Sequence, residues 1–191
     1  MLKNILMKGL QNILRNNMRK KKILALVGNS GSGKTTLGIT LTSLDDRFNW
    51  VSSYTTRPKR QNEVNGIDHV FADEKDMPPK KDMVAYTYFG GNHYWTEFSQ
   101  FDKNKINIYV IDEIGLEEMM LKYHGLFDIK TVYVKREDTS SIDVERTKRD
   151  QERKTFPQNF YDLFIVNDYS SSPEFVSDGL KKLRDLCKNW K

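Results

Sequence analysis

Residues 23–36, I-L-A-L-V-G-N-S-G-S-G-K-T-T, constrain this chain more than any other stretch. Ile23 to Val27 is uniformly apolar, the pattern of a parallel strand buried on both faces. It runs straight into Gly28-Asn29-Ser30-Gly31-Ser32-Gly33-Lys34-Thr35, a full match to G-x-x-x-x-G-K-[ST]. From Lys34 the pattern turns helical, with Leu37, Thr40, Leu41 and Leu44 on one side. Strand, glycine loop and helix thus come in the order that gives the motif meaning. Glycines let backbone N–H groups turn inward as an anion cradle, and the helix N-terminus adds partial positive charge. Residues Gly28 to Thr36 are therefore expected to hold a nucleoside triphosphate, with Lys34 on the outer phosphates and the Thr35 hydroxyl on Mg²⁺. The competing reading is a strand–helix turn with no ligand.

A length of 191 residues suits one domain with a core of real size. No apolar stretch is long enough to span a membrane. The single cysteine, Cys187, excludes an internal disulfide and a cysteine-rich zinc site. It reads as a packing residue of a cytoplasmic protein. The net charge of +5 is concentrated at one end: residues 1–22 hold seven of the 31 basic residues and no acid, which leaves 24 basic against 26 acidic residues elsewhere. The globular part is not basic, so no nucleic-acid partner is expected. Residues 1–21 form a basic extension in which Leu2, Leu6, Leu10, Ile13 and Leu14 recur at helical spacing. No h-region and cleavage site follow, so the extension is not a secretory signal. It is read as peripheral to the chemistry. A docked helix, a membrane-surface helix, leader sequence before a start near Met18 and a transit peptide are the alternatives.

Beyond the first helix, residues 54–96 form a small β-rich insertion dense in Tyr and Phe, with a short helix or loop over Asp73–Asp82. Buried-strand patterns follow at Ile106–Asp112, Lys130–Val134 and Leu163–Val166, and residues 173–190 read as an amphipathic helix. Strands separated by helical lengths predict an α/β fold with a central parallel sheet and crossover helices. The parts divide as a core (22–53, 97–135 and 158–191), the insertion (54–96) and a segment at 136–157.

Ser53-Tyr54-Thr55-Thr56-Arg57-Pro58-Lys59-Arg60, continued by Glu63-Val64-Asn65-Gly66-Ile67-Asp68-His69-Val70-Phe71, resembles the monophosphate-binding segment of the guanylate kinase family. Gly91 to Thr96 is similar to that family's second substrate segment, and Val166-Asn167-Asp168 to its late strand end. The resemblance spans about residues 22–185 in order. It implies a P-loop NTPase three-layer sandwich, a monophosphate-binding insertion and a lid at 136–157, shorter than is usual. It also implies transfer of the γ-phosphoryl group of ATP to a nucleoside or deoxynucleoside monophosphate, with Mg²⁺, by a monomer or homodimer. Under it, Arg57 and Arg60 hold the acceptor phosphate, a task suited to planar guanidinium groups. Tyr94 bonds the same phosphate, Ser53 and Thr96 face the base, Asp112 lies near base and metal, and Asn167 lies near ATP. Arg146 and Arg149, and less strongly Arg153, fall where lid arginines neutralise the transferred group.

Three departures bear on the substrate. Ala85 aligns with the glutamate that reads guanine in this family, His69 with a tyrosine and Trp95 with a glycine. GMP or dGMP is the family's acceptor, but Ala85 removes its main contact to guanine. His69 either replaces tyrosine as a donor to phosphate or is a ring satisfied within the insertion. Asp112-Glu113 also resembles the acid pair of ATP-hydrolysing motors; a guanylate-kinase-like binding module without catalysis and a P-loop ATPase are the alternative functions.

Overall fold

The computed structural model describes residues 20–137, 150–151, 153–168 and 172–190. The extension through residue 19 and most of the 136–157 segment, with Arg146 and Arg149, lie outside the described residues. Strand β1 (Lys21–Val27) leads into helix α1 (Lys34–Leu44) and strand β2 (Phe48–Val51). The insertion holds β3 (Tyr54–Thr55), β4 (Val70–Phe71), β5 (Met83–Phe89) and β6 (Asn92–Glu97). Then come β7 (Ile106–Val110), α2 (Glu113–Lys122), β8 (Phe127–Arg136), β9 (Leu163–Asn167) and α3 (Pro173–Cys187).

The central sheet has five strands in the order β2-β7-β1-β8-β9, every pair parallel. Its middle strand is the one that enters the glycine loop. That strand is apolar throughout because both its faces are covered. Leu24 and Leu26 join Leu37, Leu41, Ile108, Val132 and Leu183 in one cluster, while Ile23, Ala25 and Val27 join Tyr109, Leu116, Met119 and Phe127 in another. All five β1 residues from Ile23 to Val27 are fully buried. Leu44, expected on the same side of α1 as Leu37 and Leu41, is 62% exposed; the helix's buried positions are Leu37, Gly38 and Leu41. Asp73–Asp82 contains two single 3₁₀ turns.

The insertion forms a second, mixed sheet, β4-β3-β6-β5. It is an antiparallel hairpin of β5 and β6 joined to β3, with β4 added in parallel. Register between β5 and β6 slips between Val84 and Thr87, so Ala85 and Tyr86 together oppose Trp95. Ala85 takes φ of 54°, the only non-glycine residue with positive φ among the described residues. A bulge of this kind re-aims side chains and costs an alanine about 1–2 kcal/mol. Trp95 is buried and stacks on Tyr54 at 5.2 Å between ring centroids.

Candidate active site

The site lies at the carboxyl ends of β1 and β7, where parallel strands hand over to helices. The glycine loop is fitted to its surroundings by two glycines. Gly28 has φ of 142°, and a Cβ there would come within 2.1 Å of the Val134 carbonyl oxygen. Gly33 has φ of 97°, and its Cβ would strike the Phe175 ring at 2.6 Å. No larger residue fits either place. The Lys34 Nζ donates to the carbonyls of Gly28 (2.8 Å) and Asn29 (2.6 Å) and to Ser32 Oγ (3.2 Å), so the ammonium lies along the loop it belongs to. Asn29 Oδ1 accepts the Tyr133 hydroxyl at 2.9 Å. Asn167 is fully buried behind the loop, where its Nδ2 donates to the Ser32 carbonyl at 3.1 Å. It supports the loop's backbone from beneath rather than lining the open cleft.

Opposite the loop, the insertion presents its own charges. Arg57 forms a two-pronged ion pair with Glu63, Nη1–Oε2 at 2.9 Å and Nη2–Oε1 at 2.8 Å. Its guanidinium also lies 5.5 Å from the centroid of the Phe71 ring. The Arg60 backbone N–H donates to Glu63 at 2.8 Å, and its guanidinium pairs with the same carboxylate at 3.3 Å. Burial pushes the Glu63 carboxyl upward, but the Arg57 hydrogen bonds and both positive charges outweigh it and hold the group at about 2. A carboxylate thus sits in the guanidinium fork where a phosphate would fit. Burial, and then the Arg57 charge, pull His69 down to about 4, so its ring is neutral at physiological pH. Its Nδ1 is 2.8 Å from Ser53 Oγ, and Tyr94 packs edge-on against the ring at 5.8 Å. Ser53 is therefore tied to His69. Thr96 is fully buried and donates to the Val84 carbonyl at 3.0 Å, which leaves it outside the lining of the cleft.

The two sets meet in one cavity of about 280 Å³, where Gly28 and Lys34 share walls with Arg57, Arg60, His69 and Tyr94. An adjoining space of about 780 Å³ takes in residues 30–36, Thr35 and Thr36 included. Ala85, Thr87, Tyr109 and Asp112 line the smaller cavity as well. Asp112 caps α2, its Oδ1 accepting the Gly115 N–H at 2.7 Å, while Oδ2 lies 3.4 Å from Thr87 Oγ1.

Two features of this cluster have no counterpart in sequence spacing. Glu113, 3% exposed, accepts Nε (3.0 Å) and Nη2 (2.7 Å) of Arg153, whose Nη1 donates to the Gly28 carbonyl at 2.7 Å. Burial works against the charge on Arg153, but Glu113 more than restores it. The Asp150 carboxylate accepts the Ser30 N–H at 2.8 Å and lies 3.3 Å from Ser30 Oγ. Glu113 lies far in sequence from Asp150 and Arg153, which form an i,i+3 pair; the position of Glu113 directly after Asp112 and that of Arg153 near the expected lid arginines were the only hints of a role.

The family model for guanylate kinase matches residues 20–175. This chain belongs to the guanylate kinase family. The guanylate kinase of Mycoplasmopsis pulmonis is 27% identical over 148 residues, covering 72% of this chain and 76% of the relative. That of Protochlamydia amoebophila is 28% identical over 167 residues, covering 78% of this chain and 84% of the relative. The crystal structure of guanylate kinase from Anaplasma phagocytophilum superposes with a TM-score of 0.63 at 18% identity, covering 88% of this chain and 86% of that one, and so shares the fold. As in the family, a five-stranded parallel core carries a small mixed-sheet insertion. Among the described residues no helix is long and apolar enough to cross a membrane.

Proposed function

We propose that this protein transfers the γ-phosphoryl group of ATP to a nucleoside or deoxynucleoside monophosphate, with GMP and dGMP the first acceptors to test. The observation that carries the reading is the shared cavity: Lys34 and the glycine loop face Arg57, Arg60 and Tyr94 across one cleft. Two phosphate-binding sets across one gap suit two phosphorylated substrates held in line. Hydrolysis alone would need only the first set. The guanylate kinase relatives point the same way. The presence together of Lys34, Thr35, Arg57, Arg60 and Asp112 favours catalysis over a binding module.

In this reading Gly28 to Thr36 bind the triphosphate, with Asn167 bracing the loop. Arg57, Arg60, Tyr94 and His69 hold the acceptor phosphate, Ser53 and Asp112 face its base, and Arg146 and Arg149 come from the lid side. An acceptor phosphate is ionised at neutral pH, so the protein needs to position it and exclude water rather than remove a proton. The described residues hold no group of three or more metal-ligating side chains. A hydroxyl and a carboxylate, Thr35 and Asp112, are nevertheless the hard oxygen donors that suit Mg²⁺ bound chiefly through substrate phosphates. When bound, that ion would neutralise charge on the phosphates.

The experiment is Arg57→Ala, with KM measured for both substrates. Loss of a charge-assisted contact should raise the acceptor KM by about 1.5–3 kcal/mol, roughly 10- to 150-fold, and leave ATP nearly unaffected. Equal effects on both substrates would reject the assignment.

A further inference from the structure

Transfer between two phosphates gives a carboxylate beside the donor no task. Left uncovered there, it would repel the phosphates and could accept a hydrogen bond from water. Glu113 stands in that position. It follows Asp112 at the start of α2 and lines the same cavity as Gly28, Lys34 and Asp112. A single guanidinium bridges its Oε2 to the Gly28 carbonyl, the first carbonyl of the glycine loop. Lys34 Nζ is 2.8 Å from that same carbonyl oxygen, so the guanidinium that holds Glu113 and the loop's ammonium meet at one carbonyl. Glu113 is buried and Arg153 partly so, with side-chain exposures of 3% and 18%. Asp150, which accepts the Ser30 N–H, lies 3.7 Å from Arg153 on the opposite flank.

We propose that this site has a latent ATP-hydrolysing activity, held down because Arg153 occupies Glu113, the carboxylate that would otherwise orient water against the terminal phosphate. The inference rests on the phosphoryl-transfer reading above. With Arg153 gone, a water bonded to Glu113 attacks the γ-phosphorus. The new P–O bond forms as the bond to the β,γ-bridging oxygen breaks, and the electron pair leaves on ADP. One proton of the water stays on inorganic phosphate and the other passes to solvent, giving ADP, phosphate and a proton. Orientation of the nucleophile is the usual contribution of such a side chain to phosphoryl transfer. Arg153 is thus a positioning residue whose role is to withhold a group from the reaction.

The test measures ADP and phosphate release from Mg·ATP with no acceptor present, for the parent, Arg153→Gln, and Arg153→Gln combined with Glu113→Gln. Arg153→Gln should hydrolyse ATP at least tenfold faster than the parent, and the double variant should return to the parent rate. A second readout needs no nucleotide: the thermal midpoints of the parent, both single variants and the double variant form a cycle, and the double loss should be smaller than the sum of the single losses. A folded Arg153→Gln protein no faster than the parent, a rise that survives in the double variant, or additive midpoints would each overturn the proposal. If Arg153→Gln does not fold, Arg153→Met removes the donor from Glu113 at similar length, and a folded Arg153→Met protein with no rise counts against it equally. Failure of the kinase reading shows up separately, as a parent that transfers nothing to any monophosphate.

Discussion

Replacing Ala85 by glutamate tests how the acceptor's base is read. Guanine presents two neighbouring donors, its ring N–H and its amino group. Asp112 is the carboxylate that lines the cavity beside Thr87, but its Oδ1 is engaged in capping α2. Oδ2 is then left to meet both donors, with Thr87 nearby at 3.4 Å. One donor of guanine therefore goes without a charged partner. Ala85 lines the same cavity, and its backbone already holds φ of 54°, so a longer L-residue adds no new backbone strain. A carboxylate there supplies the missing acceptor, worth about 1.5–3 kcal/mol, or roughly 10- to 150-fold in preference. The same substitution puts a second negative charge near Asp112 at a position only 3% exposed, so the ligand-free protein should lose about 1–3 kcal/mol of stability. The assay compares kcat/KM for guanine, adenine and pyrimidine monophosphates in both proteins. A parent that already prefers guanine by several orders of magnitude, with a ratio unchanged by Ala85→Glu, would refute the reasoning.

Lys34→Met removes the charge that lies along the glycine loop without touching the core, and should cost about 10²–10³ in rate while the thermal transition survives. Near-normal turnover by the folded variant would contradict the role given to the loop. His69 predicts an acid-labile fold. Its pKa lies at about 4 in the folded protein against an ordinary 6.5, so the unfolded chain binds more protons between those values and stability falls as pH drops from 6.5 to 4. The loss is at most about 3 kcal/mol, and His69→Gln should flatten the denaturation midpoint across that window. Glu63 adds a separate loss below pH 4.5, because its folded pKa is depressed to about 2.

The parallel core was legible because burial on both faces leaves apolar runs, unbroken at Ile23–Val27 and interrupted by Asn107 within Ile106–Ile111. The glycine loop was legible because its spacing, set between a strand and a helix, turns successive N–H groups toward an anion. The amphipathic pattern of residues 173–190 likewise became α3. The bulge at Ala85 was not legible, since nothing in Val84-Ala85-Tyr86 favours positive φ. The inward turn of Thr96 depends on the register set by that bulge, and the burial of Asn167 on how β9 packs beneath the loop. The bond between Glu113 and Arg153 joins residues forty positions apart, which no local periodicity encodes.

The central claim is that ADP formation depends on an acceptor, and it is tested most directly by incubating the protein with Mg·ATP and each common ribo- and deoxyribonucleoside monophosphate in turn, with both nucleotide products identified. The account predicts ADP and nucleoside diphosphate in equal amounts with at least one acceptor, and little ADP without any. ADP and inorganic phosphate produced at the same rate with and without acceptor would contradict it.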